Sequence, residues 1–553
     1  MKKKYIWAIL IAIIIFSASL RLWQLGNVPP SPDWDEAAIG YDAYSIINTG
    51  RDQFGKHLPI VLRSLDDYKP ALYMYLTIPS IFIFGLNTFA VRLPSAIFGI
   101  ISIFTVFFLV STLFKEHKHK NWLALISSFL LAISPWSIQF SRVGFESNVG
   151  TVLNMLSALF FLKGLKKPWL LSISALFAGL AIYVYQSEKV FTPLLILALV
   201  LIYRRKLFSL NKKYIGLAII TGLIVVMPMV FYLFKDQASL NRARTTSIFS
   251  SQTDILKMNI QKLERSRINN DKLGIILDNR RIVYAKTVIG GYLSHFDLNW
   301  LFLKGDNERH HAPNMGLLYL FELPFLLLGI YFLIFKKYNR KVKLLIFTWV
   351  LIAPFPASIT TGVPHAVRTL NFLPAFQIFI AIGIINSIII ISNFKHKILG
   401  VKLWKASIVC YLLFAIFNFS YYLNQYFVQL NYFYSSYWQY GYEQAVSEVS
   451  AIGDKYNQII VSNDKGFDKS YIFFLFYLKY PPKDFQQTTE GRPEDAVDYA
   501  FGKYKFRAID WEKDALLKNV LFIANPSEIP DRAKVIKTIN NLDGTPAIKI
   551  VEM

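Results

Sequence analysis

Long apolar runs alternate with short basic clusters along most of the chain. Helices of roughly 20 apolar residues cross the hydrocarbon core of a bilayer, so the pattern predicts a polytopic membrane protein. The predicted spans are 5–22, 92–114, 122–140, 148–162, 168–185, 190–203, 214–234, 315–335, 344–359, 369–393 and 403–424. A twelfth run, 71–86, is shorter and carries Pro79 in its middle.

The positions of the lysines and arginines decide how the twelfth run is placed. If 71–86 crossed the membrane, most of the later basic clusters would lie outside. If it is an interfacial or re-entrant helix, every cluster lies on the side of the N-terminus, as the positive-inside rule requires. The clusters are 115–120, 163–167, 204–213, 336–343 and 395–405. We therefore expect eleven spans in the plasma membrane, with a cytoplasmic N-terminus and an extracytoplasmic C-terminus.

This topology places the clusters of mixed polar residues, in which acidic and basic side chains lie close in sequence, on the outer face. We expect a transmembrane domain over 1–425 with two long outer loops, 23–91 and 235–314, and helix within 254–277. Residues 282–292 are expected to lie on the membrane. The composition of 426–553 predicts a small extracytoplasmic α/β domain. Its expected helices and strands are helices 442–450 and 470–480 and strands 458–462, 506–511, 520–524, 533–537 and 547–551.

Composition excludes a large soluble core. The 553 residues are 54% hydrophobic and only 17% charged, whereas charged residues make up about 25% of a soluble domain. The net charge of +24 comes largely from lysines at the ends of apolar runs. Anchoring at the cytoplasmic membrane surface explains it better than nucleic-acid binding. Cys410 is the single cysteine, so an intrachain disulfide is impossible and a thiolate metal site is not expected.

Candidate acidic residues lie in two outer segments. Asp35 and Glu36 follow a proline-rich turn where a helix is expected to begin. Acidic residues favour the positive end of a helix dipole, and the alternative is a general base with a second carboxylate that tunes it. Glu146 lies in a tight outer turn. Arg142 is four residues earlier, so an ion pair at a helix end is the alternative for Glu146.

Candidate cations lie at the same predicted membrane face. Lys69 opens the interfacial helix, where it either reaches the headgroup region or contacts a phosphate. The segments Arg309-His310-His311 and His365-Ala-Val-Arg368 each precede a span. They are candidate phosphate ligands. The histidine pair is also a possible zinc or magnesium site, although its spacing is not diagnostic, so the metal stays unknown.

These motifs, in their order along the chain, resemble the protein O-mannosyltransferase and aminoarabinose transferase superfamily. Its members are polytopic glycosyltransferases of the C-type fold that use polyprenyl-phosphate sugars. The motifs are Asp35-Glu36, then 67–73, 91–95, 141–146, 183–189, 304–310 and 364–368. The resemblance implies that Asp35 is the base on the acceptor, Lys69 a ligand of the donor phosphate and Glu146 the acidic residue of the second loop. Tyr68 stands where the aminoarabinose enzymes have a glutamate, which weakens any transfer of their metal site.

The predicted reaction is an inverting transfer of a hexosyl or pentosyl group from a polyprenyl phosphate to an acceptor hydroxyl. The acceptor is a protein, a glycolipid or a cell-surface polymer, reached at the outer face beside membrane lipid. The expected catalytic residues are Asp35, Glu36 and Glu146, and the expected phosphate ligands are Lys69, Arg309, Arg368, His310 and His365. No cofactor is certain, although a divalent cation is possible. The chief alternative is a transporter or lipid flippase, but such proteins place charges mid-membrane. A scaffold that binds cell-wall material through its C-terminal domain leaves the two acidic loops without a role.

Overall fold

The computed structural model describes residues 2–64, 67–235, 247–249, 254–394, 401–464, 467, 469–490 and 498–552. The chain forms two compact units. The first comprises Met1–Ser17, Gly99–Ile138 and Ser147–Ser420, and the second comprises Ala18–Phe98, Gln139–Glu146 and Tyr421–Met553.

Helices dominate the described chain. In the first half they are α1 (Lys3–Leu22), α2 (Trp34–Thr49), α3 (Leu72–Phe84), α4 (Thr88–Leu113), α5 (Lys120–Ile133), α6 (Pro135–Arg142), α7 (Ser147–Gly164), α8 (Leu170–Ala181), α9 (Glu188–Leu207) and α10 (Lys212–Lys235). The next are α11 (Asp254–Ile268), α12 (Lys272–Leu277), α13 (Arg280–Ser294), α14 (Leu323–Phe335), α15 (Arg340–Ile352), α16 (Phe355–Ser358), α17 (Ala375–Phe394) and α18 (Val401–Asn424). The last are α19 (Leu430–Tyr434), α20 (Tyr442–Ile452), α21 (Ser470–Leu478), α22 (Pro482–Thr489) and α23 (Trp511–Asp514).

Six helical segments of the described chain are long and apolar enough to cross a membrane, as in a multi-pass membrane protein. They are Lys3–Leu22, Thr88–Leu113, Lys212–Lys235, Arg340–Ser358, Leu370–Ser392 and Ala406–Tyr434. The pair α5 and α6 is bent by 57° and would make a seventh as one broken span. Each predicted span falls wholly or partly on a helix, but the total of eleven stays a prediction.

The interfacial segment 71–86 is confirmed as a helix, α3, with Pro79 inside it. Helix is likewise confirmed in the long loop 235–314, where α11 and α12 cover most of 254–277. The segment 282–292 lies within α13. Whether α3 and α13 lie at the membrane surface stays a prediction.

The second unit contains all eight strands of the described chain. They are β1 (Val61–Ser64), β2 (Asp67–Pro70), β3 (Gln458–Val461), β4 (Tyr499–Phe501), β5 (Tyr504–Phe506), β6 (Val520–Ala524), β7 (Lys534–Asn540) and β8 (Pro546–Glu552). β1 and β2 form an antiparallel pair. The other six form one sheet in the order β4-β5-β3-β6-β8-β7, in which β3 runs parallel to β5 and β6. The sheet and the helices α20 and α21 confirm most of the elements predicted after residue 426.

The predicted strand 506–511 is wrong beyond its first residue, because β5 ends at Phe506 and α23 begins at Trp511. Arg507 explains the turn. Its guanidinium holds both oxygens of Asp514, at 2.6 and 2.8 Å, and Asp514 also accepts the backbone N–H of Asp510 at 2.9 Å. This closed set of bonds pulls the chain out of the extended conformation.

Helix α2, in the predicted first outer loop, packs on the C-terminal part of the same unit. A Cβ at Gly40 would lie 2.7 Å from Phe476 of α21, so glycine permits the close approach of the two helices. The Tyr41 hydroxyl donates to the carbonyl of Tyr480 at 2.9 Å, and Gln486 Nε2 donates to Thr49 Oγ1 at 3.0 Å. The first outer loop and the C-terminal residues therefore share one core. The boundary predicted at 425 stays a prediction.

Candidate active site

Helix α2 begins with a reciprocal pair of caps. Asp33 Oδ1 accepts the backbone N–H of Glu36 at 2.9 Å, and Glu36 Oε2 accepts that of Asp33 at 3.2 Å. This capping box satisfies N–H groups that the first turn of a helix otherwise leaves unpaired. It confirms the predicted helix start and fixes Asp35 in the first turn.

Glu36 is completely buried and fully occupied. Arg92 Nε donates to Oε1 at 2.8 Å and Nη2 to Oε2 at 2.9 Å, while the backbone N–H of Gly144 donates to Oε1 at 2.6 Å. With the cap contact, four donors satisfy the carboxylate, which has about four lone-pair sites. Arg92 also donates to the carbonyls of Pro29 and Ser31, at 2.8 and 2.7 Å. Glu36 therefore holds the loops around it rather than facing a substrate.

Asp35 is placed differently from its neighbour. Its side chain is 30% exposed, and its Oδ1 pairs with the ammonium of Lys69, which is only 9% exposed. Lys69 lies on β2 opposite Leu62 of β1, just before α3. Burial opposes the charge on Lys69, but the carboxyl groups of Asp35 and Glu146 outweigh that effect and raise its pKa.

Glu146 is the buried third member of this group. Burial raises its pKa to about 7, the cation of Lys69 acts in the opposite direction, and the charge of Asp35 adds to the increase. Glu146 follows the loop at Gly144, where a Cβ would lie 3.1–3.2 Å from the Glu36 side chain. Glycine thus lets this loop approach α2 closely. The structure brings Asp35, Lys69 and Glu146 together within the second unit.

Arg142 does not form the helix-end ion pair considered for Glu146. Its guanidinium donates to the carbonyls of Leu20 and Val28, at 2.8 and 3.0 Å, and lies 4.8 Å from the centre of the Phe427 ring. Arg142 therefore ties loop and helix ends together. The carboxyl group of Glu146 instead interacts electrostatically with Lys69 and Asp35.

The other predicted site residues belong to the first unit. His310 Nδ1 lies 2.7 Å from Asp306 Oδ2, and the rings of His310 and His365 are 5.2 Å apart. Arg368 donates to Thr360 Oγ1 at 2.5 Å and to the carbonyl of Thr361 at 2.8 Å. Arg309 is half-buried. The expected convergence of Lys69 with these arginines stays a prediction.

Sequence reasoning did not select two residues that organise these groups. Arg92 lies 56 positions after Glu36, and only its place in the motif 91–95 pointed to it. Asp306 lies four residues before His310, a spacing that suits contact on one turn of chain. Asp306, His310 and His365 are also the described residues whose ligand atoms converge closely enough to hold a metal.

The metal site of the aminoarabinose enzymes does not fit the second unit. Tyr68 stands at the position of their glutamate, on β2 directly before Lys69. A phenol there supplies no carboxylate ligand. No step proposed for this group of residues uses a metal.

Comparisons with known proteins give a family match over part of the chain. A family model described as dolichyl-phosphate-mannose-protein mannosyltransferase matches residues 68–232. No curated protein sequence matches the chain significantly.

Solved structures show the fold. ArnT from Cupriavidus metallidurans in the apo state is similar with a TM-score of 0.53 and 12% identity, over 98% of this chain and 97% of that one. The same protein bound to undecaprenyl phosphate gives a TM-score of 0.53 and 14% identity, over 99% and 97%. A third similar structure is the archaeal oligosaccharyltransferase AglB from Archaeoglobus fulgidus, in complex with an inhibitory peptide and a dolichol-phosphate. Its TM-score is 0.50 and its sequence identity 11%, over 95% of this chain and 70% of that one. The chain therefore has the fold of these glycosyltransferases, and residues 68–232 are similar to the dolichyl-phosphate-mannose-protein mannosyltransferase family.

Proposed function

We propose that this protein transfers a sugar from a polyprenyl-phosphate donor to an acceptor hydroxyl at the outer membrane face, with Asp35 as the general base. The observation that carries the proposal is the pair of a partly exposed Asp35 and a buried Lys69. The carboxylate of Asp35 is open to an acceptor hydroxyl, and the ammonium of Lys69 can bind a phosphate oxygen. The donor class is supported by the family description and by the undecaprenyl phosphate and dolichol-phosphate bound by the similar structures.

The chemistry follows from these two groups. Asp35 removes the proton of the acceptor hydroxyl as its oxygen attacks the anomeric carbon. The bond from that carbon to the phosphate oxygen breaks, and its electron pair leaves with the polyprenyl phosphate. Lys69 stabilises the charge that develops on the departing phosphate. A single displacement of this kind inverts the anomeric configuration.

Asp35 is a better base than either neighbouring carboxyl group. Glu36 is completely buried and holds four donors. Glu146 is also buried, and its pKa of about 7 leaves it partly protonated at neutral pH. We assign Glu36 to positioning, and we assign Glu146 to setting the charge around Lys69.

The test is sugar transfer by the purified full-length protein with a labelled polyprenyl-phosphate sugar. Asp35→Asn should lower transfer by about 10²–10⁴-fold, the range of a general base, because the amide keeps the shape but cannot take the proton. Asp484→Asn is the matched control, since Asp484 is an exposed residue in the first turn of α22. It should leave transfer unchanged.

Two outcomes would contradict the proposal. Transfer by Asp35→Asn at the rate of the control would show that another group is the base. Movement of the labelled lipid across the bilayer without any transfer would favour the flippase instead.

A further inference from the structure

Three side chains that can bind metals converge in the first unit, and the proposed transfer uses none of them as a metal ligand. They are Asp306, His310 and His365, whose ligand atoms all lie within 4.8 Å of one another. His310 is buried, and the other two are only partly exposed. Among the described residues, no thiol and no second carboxylate belongs to this cluster.

The carboxylate of Asp306 is held through one of its two oxygens, Oδ2. Its Oδ2 accepts the backbone N–H of Ala366 at 2.8 Å and contacts His310 Nδ1 at 2.7 Å. Both contacts involve Oδ2, so Oδ1 is the oxygen available to an ion. Gly305, with a φ of +72°, precedes it, and a Cβ there would lie 2.7 Å from the His311 ring. A glycine is therefore needed for the turn that presents Asp306.

His365 is held by its backbone rather than by its ring. Its N–H donates to His295 Nε2 at 3.1 Å, and its carbonyl accepts Thr369 Oγ1 at 2.7 Å. Its ring Nδ1 is buried and has no hydrogen-bond partner in the part of the chain that the structure describes. Leaving a buried polar atom unpaired costs about 1–3 kcal/mol. A bound ion would satisfy that nitrogen.

His295 supports His365 in one tautomer. Its Nε2 accepts the N–H of His365, so its Nδ1 carries the proton and donates to the carbonyl of Gly291 at 2.7 Å. The neutral ring of His295 thus fixes the backbone of His365 in position. Metal sites commonly depend on outer groups that orient the ligands in this way.

We propose that Asp306, His310 and His365 bind one divalent transition-metal ion. Two imidazoles and one carboxylate suit zinc and its neighbours in the first transition row, whereas magnesium and calcium prefer oxygen ligands. Three protein ligands leave a fourth position open for water or an oxygen of a ligand. Each histidine binds the ion through a ring nitrogen that carries no proton, so any proton on that nitrogen passes to solvent.

The test measures metal in the full-length protein in detergent, purified through a tag without histidines and stripped with a chelator. After dialysis against zinc chloride, the wild type should retain about one zinc per chain, the occupancy of a single structured site. Cobalt(II) in place of zinc should give the visible absorption of a site with nitrogen ligands. Neither measurement needs the sugar donor, so a failure here leaves the proposed transfer untouched.

The variants His365→Ala and Asp306→Asn should each bind zinc at least about tenfold more weakly, since even outer groups change affinity by 10–100-fold. His57→Ala is the matched control. His57 is an exposed residue of the second unit, and it is not a proposed ligand. Its variant should bind zinc as the wild type does.

The melting temperature of the wild type gives a readout that does not depend on how the variants fold. Zinc that binds the folded state should raise it by mass action. The proposal is overturned if the wild type retains no zinc and shows no thermal shift. It is also overturned if Asp306→Asn and His365→Ala retain as much zinc as His57→Ala.

Discussion

Replacing Glu36 should damage stability, whereas replacing Asp35 should damage turnover. In Glu36→Gln the side chain keeps its shape but loses its charge and one acceptor oxygen. Oε1 serves Arg92 Nε and the Gly144 N–H, and Oε2 serves Arg92 Nη2 and the Asp33 N–H. Whichever oxygen becomes the amide nitrogen, two N–H donors then face an NH₂ group. The buried guanidinium of Arg92 also loses the carboxylate with which it pairs.

The magnitude follows from these losses. Breaking a buried ion pair by removing one partner costs about 3–5 kcal/mol. One hydrogen bond to a charged group and one ordinary backbone bond, at about 1.5–3 and 0.5–1.5 kcal/mol, give a sum of similar size. We therefore expect Glu36→Gln to reduce the free energy of unfolding by about 3–5 kcal/mol. Asp35→Asn should change the free energy of unfolding by no more than about 1 kcal/mol. Asp35 is partly exposed, and its partner Lys69 still has the carboxyl group of Glu146 nearby.

The assay compares thermal unfolding and sugar transfer on the same detergent preparations. Glu443→Gln is the matched control, because Glu443 is an exposed residue in the first turn of α20. Glu36→Gln should melt well below this control, and the molecules that remain folded should retain transfer. The reasoning is refuted if Glu36→Gln melts with the control yet transfers nothing, since Glu36 would then be the base.

Three further expectations can be checked separately. Glu146 has a pKa of about 7 against a usual 4.5. Its proton is therefore held more tightly in the folded state, and the free energy of unfolding should fall as pH rises through this interval. This difference between the two pKa values corresponds to about 3 kcal/mol. Glu146→Gln should therefore melt at a higher temperature than the wild type at pH 8 but not at pH 4. Equal melting temperatures at pH 8 would contradict this expectation. Lys69→Gln should weaken binding of the donor lipid by at least about tenfold, because a charged hydrogen bond to phosphate is lost; unchanged binding in a competition assay would remove Lys69 from the phosphate site. A reporter fused to the C-terminus should be active only outside the cytoplasm, as the positive-inside rule requires, and activity confined to the cytoplasm would reverse the topology.

Local patterns in the sequence were sufficient to locate most elements. An apolar run is visible without knowing what it packs against, and helices occur at every predicted span. The helix start near Asp35 and Glu36 was also visible, because acidic residues after a proline-rich turn favour the beginning of a helix. Strand β6 at Val520–Ala524 lies where the apolar run predicted it.

Features that depend on distant residues were not visible. The contact of Gly40 with Phe476 joins positions more than 400 residues apart, and no local pattern reports it. The pair of Glu36 and Arg92 likewise needs the fold to bring two loops together. Asp35, Lys69 and Glu146 were selected through resemblance and topology rather than from spacing. Asp306 was passed over because a single aspartate in a loop has many ordinary roles.

The first turn of α2 shows why adjacent acidic residues have different roles. Successive residues of an α-helix point about 100° apart, so Asp35 and Glu36 cannot face the same environment. The capping box sets where the helix begins, and the buried pair with Arg92 sets its rotation. Turning the helix enough to bury Asp35 would break all four bonds of Glu36. The direction of Asp35 toward Lys69 is thus fixed by a neighbour that takes no part in the proposed chemistry. For this reason the two residues act as one motif, and the second is as necessary as the first.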